Sequence, residues 1–414
     1  MLNNTTPFSN KVQKKINLFA FFIAFPFLSI LGNSVTFYIF LSIVISIGPF
    51  WNKYFNGKYL FFGFLLLGIL STLFSPVIGE QQDLGFILIL IQYVYWIVMA
   101  SFFIIFRRKI DFIQMSKWIF IGTMAFILFY FLFPLKINNP VISIIFRPGR
   151  NTFVFNLLCC IPLSFVYIAQ RWKNWKQYFF LFFFVLAMLL TNGRSGAIII
   201  LIQVVLILSV LKPTFRRVGK VLAILFFMLF SVLQNTNSQI YLDTLATELE
   251  PVNPRVAALL RSEGDGDLEQ DKSWLIRKLM IDKGFEIIEK YPFIGIGPNN
   301  FTNYRAELSS FSSYSRLKGS SYQRFSLSTS AHNSYLQVAV EFGIIGFVIF
   351  LCIYLPPLFL FFKLFIKEQL SLYHLALVSL IGMAIHFYAI SAFIGALPWF
   401  VLGICWSYLQ KEKK

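Results

Sequence analysis

Long apolar stretches recur along the chain and constrain its fold more than any other feature. Runs of about 20 mainly apolar residues have the length that a helix needs to cross a bilayer. A water-soluble domain could not bury this much apolar surface, because 57% of the residues are hydrophobic and only 13% are charged. The sequence therefore predicts an all-α polytopic membrane protein.

Placing a helix on each apolar stretch gives about 12 predicted transmembrane helices. They lie at 16–32, 35–51, 59–79, 84–106, 117–135, 153–169, 177–192, 196–211, 220–234, 340–362, 370–388 and 391–409. One alternative stays open: the short break at Gly193–Gly196 also allows 177–192 and 196–211 to form a single broken helix.

The basic residues predict the orientation of these helices. With the N-terminus inside, every predicted inner connection is basic, for example at Arg107–Lys109, whereas the short outer connection at 80–83 is acidic. Lys and Arg are retained on the cytoplasmic side during insertion. We therefore predict that both termini are cytoplasmic, and that the net charge of +18 serves topology and not nucleic-acid binding.

One large polar segment divides the chain into three predicted parts. Residues 1–234 hold about nine transmembrane helices, 235–332 form an outer loop, and 333–414 hold about three more helices. Within the loop, apolar residues recur at helical spacing from Ser273 to Lys290. We expect an amphipathic helix there, capped by Ser273 and ended by Tyr291–Pro292.

His332 lies where the loop re-enters a helix. Thr329 or Ser330 is expected to cap that helix, which would place His332 in its first turn. The positive end of a helix disfavours the imidazolium form, and a neutral imidazole can act as a general base. A surface histidine at a helix end explains the same position, and position alone leaves both interpretations open.

Arg194 and Arg277 are two cations on the predicted outer side. Arg194 stands between glycines, so the backbone can turn and expose N–H groups beside the guanidinium, as in an anion site. An arginine that extends to the membrane surface from a helix end is the alternative. Arg277 lies near the start of the amphipathic helix, where spacing alone favours a solvated face.

Three further residues carry weaker signals. Arg147 and Arg150 belong to an outer segment, where they could form a second anion site or serve as interfacial anchors. Glu341 is expected near the point where a helix enters the bilayer. An ionisable group at that depth is a functional candidate by default, although a neighbouring helix could equally satisfy it.

Three motifs then follow one another in a familiar order. They are Thr-Asn-Gly-Arg-Ser-Gly-Ala at Thr191–Ala197, Tyr-Pro-Phe-Ile-Gly-Ile-Gly-Pro-Asn-Asn-Phe at Tyr291–Phe301, and Ala-His-Asn-Ser-Tyr-Leu-Gln-Val-Ala-Val-Glu-Phe-Gly-Ile-Ile-Gly at Ala331–Gly346. Together the motifs resemble the O-antigen ligase and repeat-unit polymerase superfamily, membrane glycosyltransferases of the GT-C type. The resemblance covers about 190–350, and the flanking helices match only in number and character.

The resemblance implies a metal-independent glycosyltransferase that needs no cofactor and faces the periplasm from the bacterial inner membrane. Its donor would be a glycan on undecaprenyl diphosphate. By motif, Arg194 and Arg277 would bind the donor diphosphate, and His332 would activate or orient the acceptor hydroxyl. A single displacement would invert the anomeric centre. The full set of predicted site residues is His332, Arg194 and Arg277, then Arg147 and Arg150 for the diphosphate, with Glu341 and Asn333 as a second tier.

The acceptor is left open by the sequence. We favour an O-antigen ligase, which transfers the glycan to lipid A-core in lipopolysaccharide biosynthesis. A polymerase of O-antigen, capsule or exopolysaccharide would instead use a second lipid-linked glycan. A lipid-linked glycan flippase predicts charges inside the bundle, whereas these spans are nearly free of charge. A structural scaffold would leave the outer arginines and His332 unexplained.

Overall fold

Helices form all the regular structure in the part of the chain that the structure describes. The structure is a computed structural model, and it describes residues 8–25, 38–44, 58–73, 85–132, 150–172, 175–191, 194–211, 247, 272–304, 331–367, 369–388, 390–393 and 395–412. In chain order the helices are α1 (Asn10–Ala24), α2 (Lys58–Leu73), α3 (Gly85–Phe106), α4 (Phe112–Leu132), α5 (Arg150–Arg171), α6 (Trp175–Leu189), α7 (Arg194–Leu211), α8 (Lys272–Lys290), α9 (Ser334–Ile366), α10 (Leu375–His386) and α11 (Ala396–Glu412). A further helical stretch lies at 38–44, and short 3₁₀ helices occupy Arg107–Lys109 and Leu372–His374.

The predicted spans agree with these helices wherever the two can be compared. Each predicted span that falls within the described residues contains a helix, and the predicted span at 220–234 lies outside them. Helices α6 and α7 pack against each other across a short connection, so they are two separate helices and not one broken helix. Four described helices are long and apolar enough to cross a membrane, at 91–109, 112–132, 151–171 and 334–366.

Helix α5 lies at the centre of the packing, in contact with α4, α6, α7 and α10. Aromatic side chains fill much of the interior, as the 52 phenylalanines of the sequence require. The rings of Tyr130 and Phe153 stack 3.8 Å apart, and those of Phe64 and Phe342 stack 4.7 Å apart. Large apolar side chains such as Phe182 also remain exposed on outward faces, which suits a surface in contact with lipid.

Several helices begin at one end of the bundle. Gly196 in α7 lies so close to Val154 in α5 that a side chain at Gly196 would collide with it. Further along, Gln203 Nε2 donates to the carbonyl oxygens of Leu158 (2.8 Å) and Val378 (3.2 Å). Helices α5 and α7 therefore run in parallel. Helix α10 runs the opposite way and ends where α5, α7 and α9 begin; we call this the α9 end.

Basic residues gather at the opposite end, which we call the basic end. The Arg107 guanidinium lies 3.6 Å from the ring centroid of Tyr408, and its Nη1 donates to the Ser407 carbonyl oxygen at 3.3 Å. The Phe8 N–H donates to the carbonyl oxygen of Lys109. These contacts tie the start of α1 and the ends of α3 and α11 together.

Candidate functional site

His332 occupies an unusual backbone position at the α9 end. Helix α9 begins at Ser334, and the Asn333 side chain caps it by accepting from the N–H groups of Tyr335 (2.9 Å) and Leu336 (3.1 Å). The predicted cap at Thr329 or Ser330 is therefore wrong, because Asn333 satisfies the first free N–H groups, and His332 precedes the helix. Its φ of +51° lies in the left-handed region, which non-glycine residues seldom adopt outside functional or strained sites.

The surroundings of His332 hold its ring in the neutral form. Partial burial lowers the pKa of His332, and the positive charge of Arg277 lowers that pKa further. A neutral imidazole can accept a proton, as expected from the sequence, although the cause is burial and a nearby cation. Arg277 itself is exposed on α8, so its guanidinium can bind an anion from solution.

A small apolar cluster holds α8, and with it Arg277, against α9. The cluster consists of Leu279, Met280, Ile287, Ile296, Phe301, Ala331 and Val340. Gly284 meets the Leu336 side chain so closely that a Cβ at Gly284 would collide with it. Helix α8 begins at Lys272 and ends at Lys290, so Ser273 lies in its first turn and is not its cap, whereas the predicted end is confirmed.

The glycine-rich turn after α8 docks on a kink in α9. Gly343 has φ +65° and ψ −172°, which breaks the helix and frees backbone groups for other partners. The Gly297 N–H donates to the Glu341 carbonyl oxygen at 2.9 Å, and the Ile344 N–H donates to the Pro292 carbonyl oxygen at 2.8 Å. Two motifs that are far apart in the sequence thus form one hydrogen-bonded unit.

Glu341 belongs to this unit. Its side chain is fully buried, and Oε1 accepts from Gln337 Nε2 at 2.9 Å. The carboxylate faces the backbone N–H groups of Asn299 and Phe301, and the Ser71 hydroxyl donates to the Glu341 carbonyl oxygen at 2.6 Å. Glu341 therefore connects α9, the glycine-rich turn and α2, and a functional role for it stays a prediction.

For two of the remaining predicted arginines, Arg150 and Arg194, the structure describes the position of the backbone. Arg150 begins α5 and Arg194 begins α7, and the contact between Gly196 and Val154 sets these two helix starts side by side at the α9 end. Backbone N–H groups at helix starts favour anions. Arg147 lies outside the described residues.

Two buried residues near this site carry no signal in the sequence. His386, the last residue of α10, is 1% exposed, and both of its ring nitrogens lack a hydrogen-bond partner in the described part of the chain. Lys283 in α8 is also 1% exposed, with its ammonium 4.8 Å from the Phe301 ring centroid. Burial lowers the pKa of Lys283 to about 8, against the opposing effect of Glu286. Only the packing between helices reveals that His386 and Lys283 are buried, since neither residue stands out in the sequence of its own helix.

Among the described residues, no group of three or more His, Cys, Asp or Glu side chains is arranged to hold a metal ion. The cysteines at positions 159, 160, 352 and 405 are free thiols. The polar groups described at the α9 end include the imidazoles of His332 and His386, the guanidinium of Arg277 and the starts of α5, α7 and α9.

Fold and site together define a multi-pass helical membrane protein with a neutral histidine and a cation at one end of its bundle. Residues 179–351 match the family model described as O-Antigen ligase, and this segment contains Arg194, Arg277 and His332. The match supports the O-antigen ligase/polymerase superfamily for this chain and, in general terms, a ligase- or polymerase-type function among glycosyltransferase-like enzymes. The comparison with curated proteins gave no match.

Proposed function

We propose that the protein transfers a glycan from undecaprenyl diphosphate to an acceptor hydroxyl at the periplasmic face of the bacterial inner membrane. The observation that carries this proposal is that the charge of Arg277 acts on the half-buried ring of His332. A half-buried imidazole kept neutral beside an exposed guanidinium provides a proton acceptor and an anion-binding group in one place.

The proposed reaction is a single displacement. His332 accepts the proton of the acceptor hydroxyl while the hydroxyl oxygen forms a bond to the anomeric carbon of the donor glycan. The bond from that carbon to the diphosphate oxygen breaks, and undecaprenyl diphosphate leaves with the electron pair. Arg277 and Arg194 balance the negative charge of the leaving group, and the anomeric centre is inverted.

The distribution of charge supports the proposed sidedness. Arg107 and its basic neighbours lie at the end of the bundle opposite to His332 and Arg277. Because basic connections are retained in the cytoplasm, the α9 end would face the periplasm, where lipid-linked glycans are assembled onto their acceptors.

Of the two acceptors we propose lipid A-core, on the likeness of the His-Asn-Ser-Tyr-Leu segment at His332–Leu336 to O-antigen ligases, so that the protein would act as an O-antigen ligase. Lipopolysaccharide gels of a deletion strain distinguish a ligase from a polymerase. Loss of a ligase leaves bare core and lipid-linked polymer, whereas core that carries single repeat units would identify a polymerase.

The test of the site itself uses alanine variants in the deletion strain. We expect Arg194→Ala, Arg277→Ala and His332→Ala each to lower glycan transfer by roughly 10²-fold or more, the usual effect of removing a general base or a charge-stabilising donor. Arg108→Ala is the matched control, because Arg108 is an exposed arginine at the basic end. Normal glycan profiles from all three site variants, with normal amounts in the membrane, would disprove the proposal.

A further inference from the structure

His386 is a buried polar side chain that nothing described so far uses. It is 1% exposed, and neither Nδ1 nor Nε2 has a hydrogen-bond partner within the described residues. Polar groups in protein interiors are almost always paired, so an unpaired one calls for an explanation. An imidazole with no hydrogen-bond partner among the described residues can form a hydrogen bond with a ligand.

The position of His386 links it to His332. The Ser334 N–H donates to the Phe387 carbonyl oxygen at 2.8 Å, which joins the segment after His332 to the residue after His386. The Ser334 hydroxyl also bridges to the connection beyond α10, donating to the Ile390 carbonyl oxygen at 2.6 Å. The Arg277 charge acts on both histidine rings. His386 therefore lies at the same end of the bundle as the proposed site.

The surroundings of the ring restrict the chemistry of a ligand. The ring stacks on Phe155, with centroids 6.0 Å apart and planes 20° from parallel, which limits its rotation. The Asn151 carbonyl faces the ring outside hydrogen-bond geometry, and an acceptor in that position favours the tautomer whose N–H points towards it. The other nitrogen then presents a lone pair. A lone pair binds a group that donates a hydrogen, such as a sugar hydroxyl, and not an ionised diphosphate.

We propose that His386 is a second substrate-contacting residue, which accepts a hydrogen bond from a hydroxyl of the acceptor glycan while His332 takes the proton of the attacking hydroxyl. This inference rests on the proposed glycan transfer. It assigns the acceptor sugar to the junction of α9 and α10, and the donor diphosphate to the side of Arg277. Two contacts on one sugar fix its orientation, where one contact would leave it free to rotate.

The test measures transfer by the purified full-length protein in lipid nanodiscs. Donor and acceptor are the glycolipids that a deletion strain accumulates, separated and titrated one at a time. We expect His386→Phe to raise the KM for the acceptor by up to about tenfold, the loss of one hydrogen bond, and to leave the KM for the donor within about twofold. His386→Gln, which restores an acceptor atom, should recover part of the loss.

A thermal unfolding measurement separates this role from a structural one. Phe keeps the aromatic contact with Phe155 and removes an unpartnered polar group, so His386→Phe should melt at the same temperature as the unchanged protein or higher. His374→Asn is the control: His374 lies at the start of α10, where Asn can still accept from the Ser371 N–H.

Three results would overturn the inference: an unchanged acceptor KM, a rise confined to the donor KM, or a clear fall in melting temperature in both His386 variants. These are distinguishable from failure of the proposed function. If His332→Ala and Arg277→Ala abolish transfer while His386→Phe keeps its acceptor KM, only the role of His386 is disproved. Normal transfer by the His332 and Arg277 variants would disprove the function itself.

Discussion

At the scale of single residues, the titration of His332 gives a direct prediction. Its pKa is lowered by burial first and by Arg277 second, so the neutral form persists below the ordinary histidine value of 6.5. Diethyl pyrocarbonate modifies neutral imidazole, and peptide mass spectrometry follows the rate for His332 alone. We expect the rate to fall as the ring takes up a proton, with a midpoint below pH 6.5.

The Arg277→Met variant supplies the comparison. Loss of the positive charge should move the midpoint of the modification rate to higher pH, although burial, the larger cause, should keep it below 6.5. A midpoint that does not move in the variant would show that Arg277 does not act on His332 electrostatically.

The sequence predicted a neutral histidine from its place at a helix start, and the structure adds burial and the charge of Arg277 as causes. The start of α9 is preceded by several side chains that can cap a helix, and only the geometry shows that Asn333 does so. His386 could not be found at all, because an unpaired nitrogen is a property of neighbouring helices. The side-chain role of Arg194 remains a prediction of its motif, and that of Arg150 a prediction of its place on an outer segment.

At the scale of elements, the kink in α9 is the feature most open to test. Gly343 has positive φ, and a Cβ there would collide with the Phe293 backbone. We expect Gly343→Ala to displace the glycine-rich turn. The variant should therefore have a lower melting temperature and a lower rate of glycan transfer. The positive φ alone costs about 1 kcal/mol or more for alanine.

Gly63→Ala is the matched control for this change. Gly63 lies in α2, and apart from its own helix no described residue lies within 4 Å of a Cβ built there. Alanine should be neutral or stabilise the helix by roughly 0.5–1 kcal/mol. If both variants melt at the same temperature as the unchanged protein, the docking of the turn on the kink is unimportant for stability.

The helices themselves were predictable, since an apolar run of sufficient length has few alternatives in a bilayer. Two separate helices were also predicted where α6 and α7 lie, although one broken helix was left open as the alternative. The break at Gly343 was not predictable, because it depends on backbone groups that find partners after α8, and periodicity within one segment contains no such information.

At the scale of the whole molecule, the two ends of the bundle predict opposite accessibility. In a variant whose native cysteines are replaced, we expect Glu289→Cys in α8 to react with a membrane-impermeant maleimide on intact spheroplasts. Arg108→Cys at the basic end should react only after permeabilisation. Both side chains are exposed, so burial cannot account for a difference between them. The reverse pattern of labelling would contradict the proposed orientation.

The break at Gly343 also has a mechanical consequence. The residues after α8 are hydrogen-bonded to α9 on both sides of the break, to Val340 and Glu341 before it and to Ile344 and Ile345 after it. These bonds brace the bend, so a tilt of the long part of α9 with bilayer thickness would carry the residues after α8 with it. We therefore expect the distance between His332 and Arg277 to be insensitive to lipid chain length.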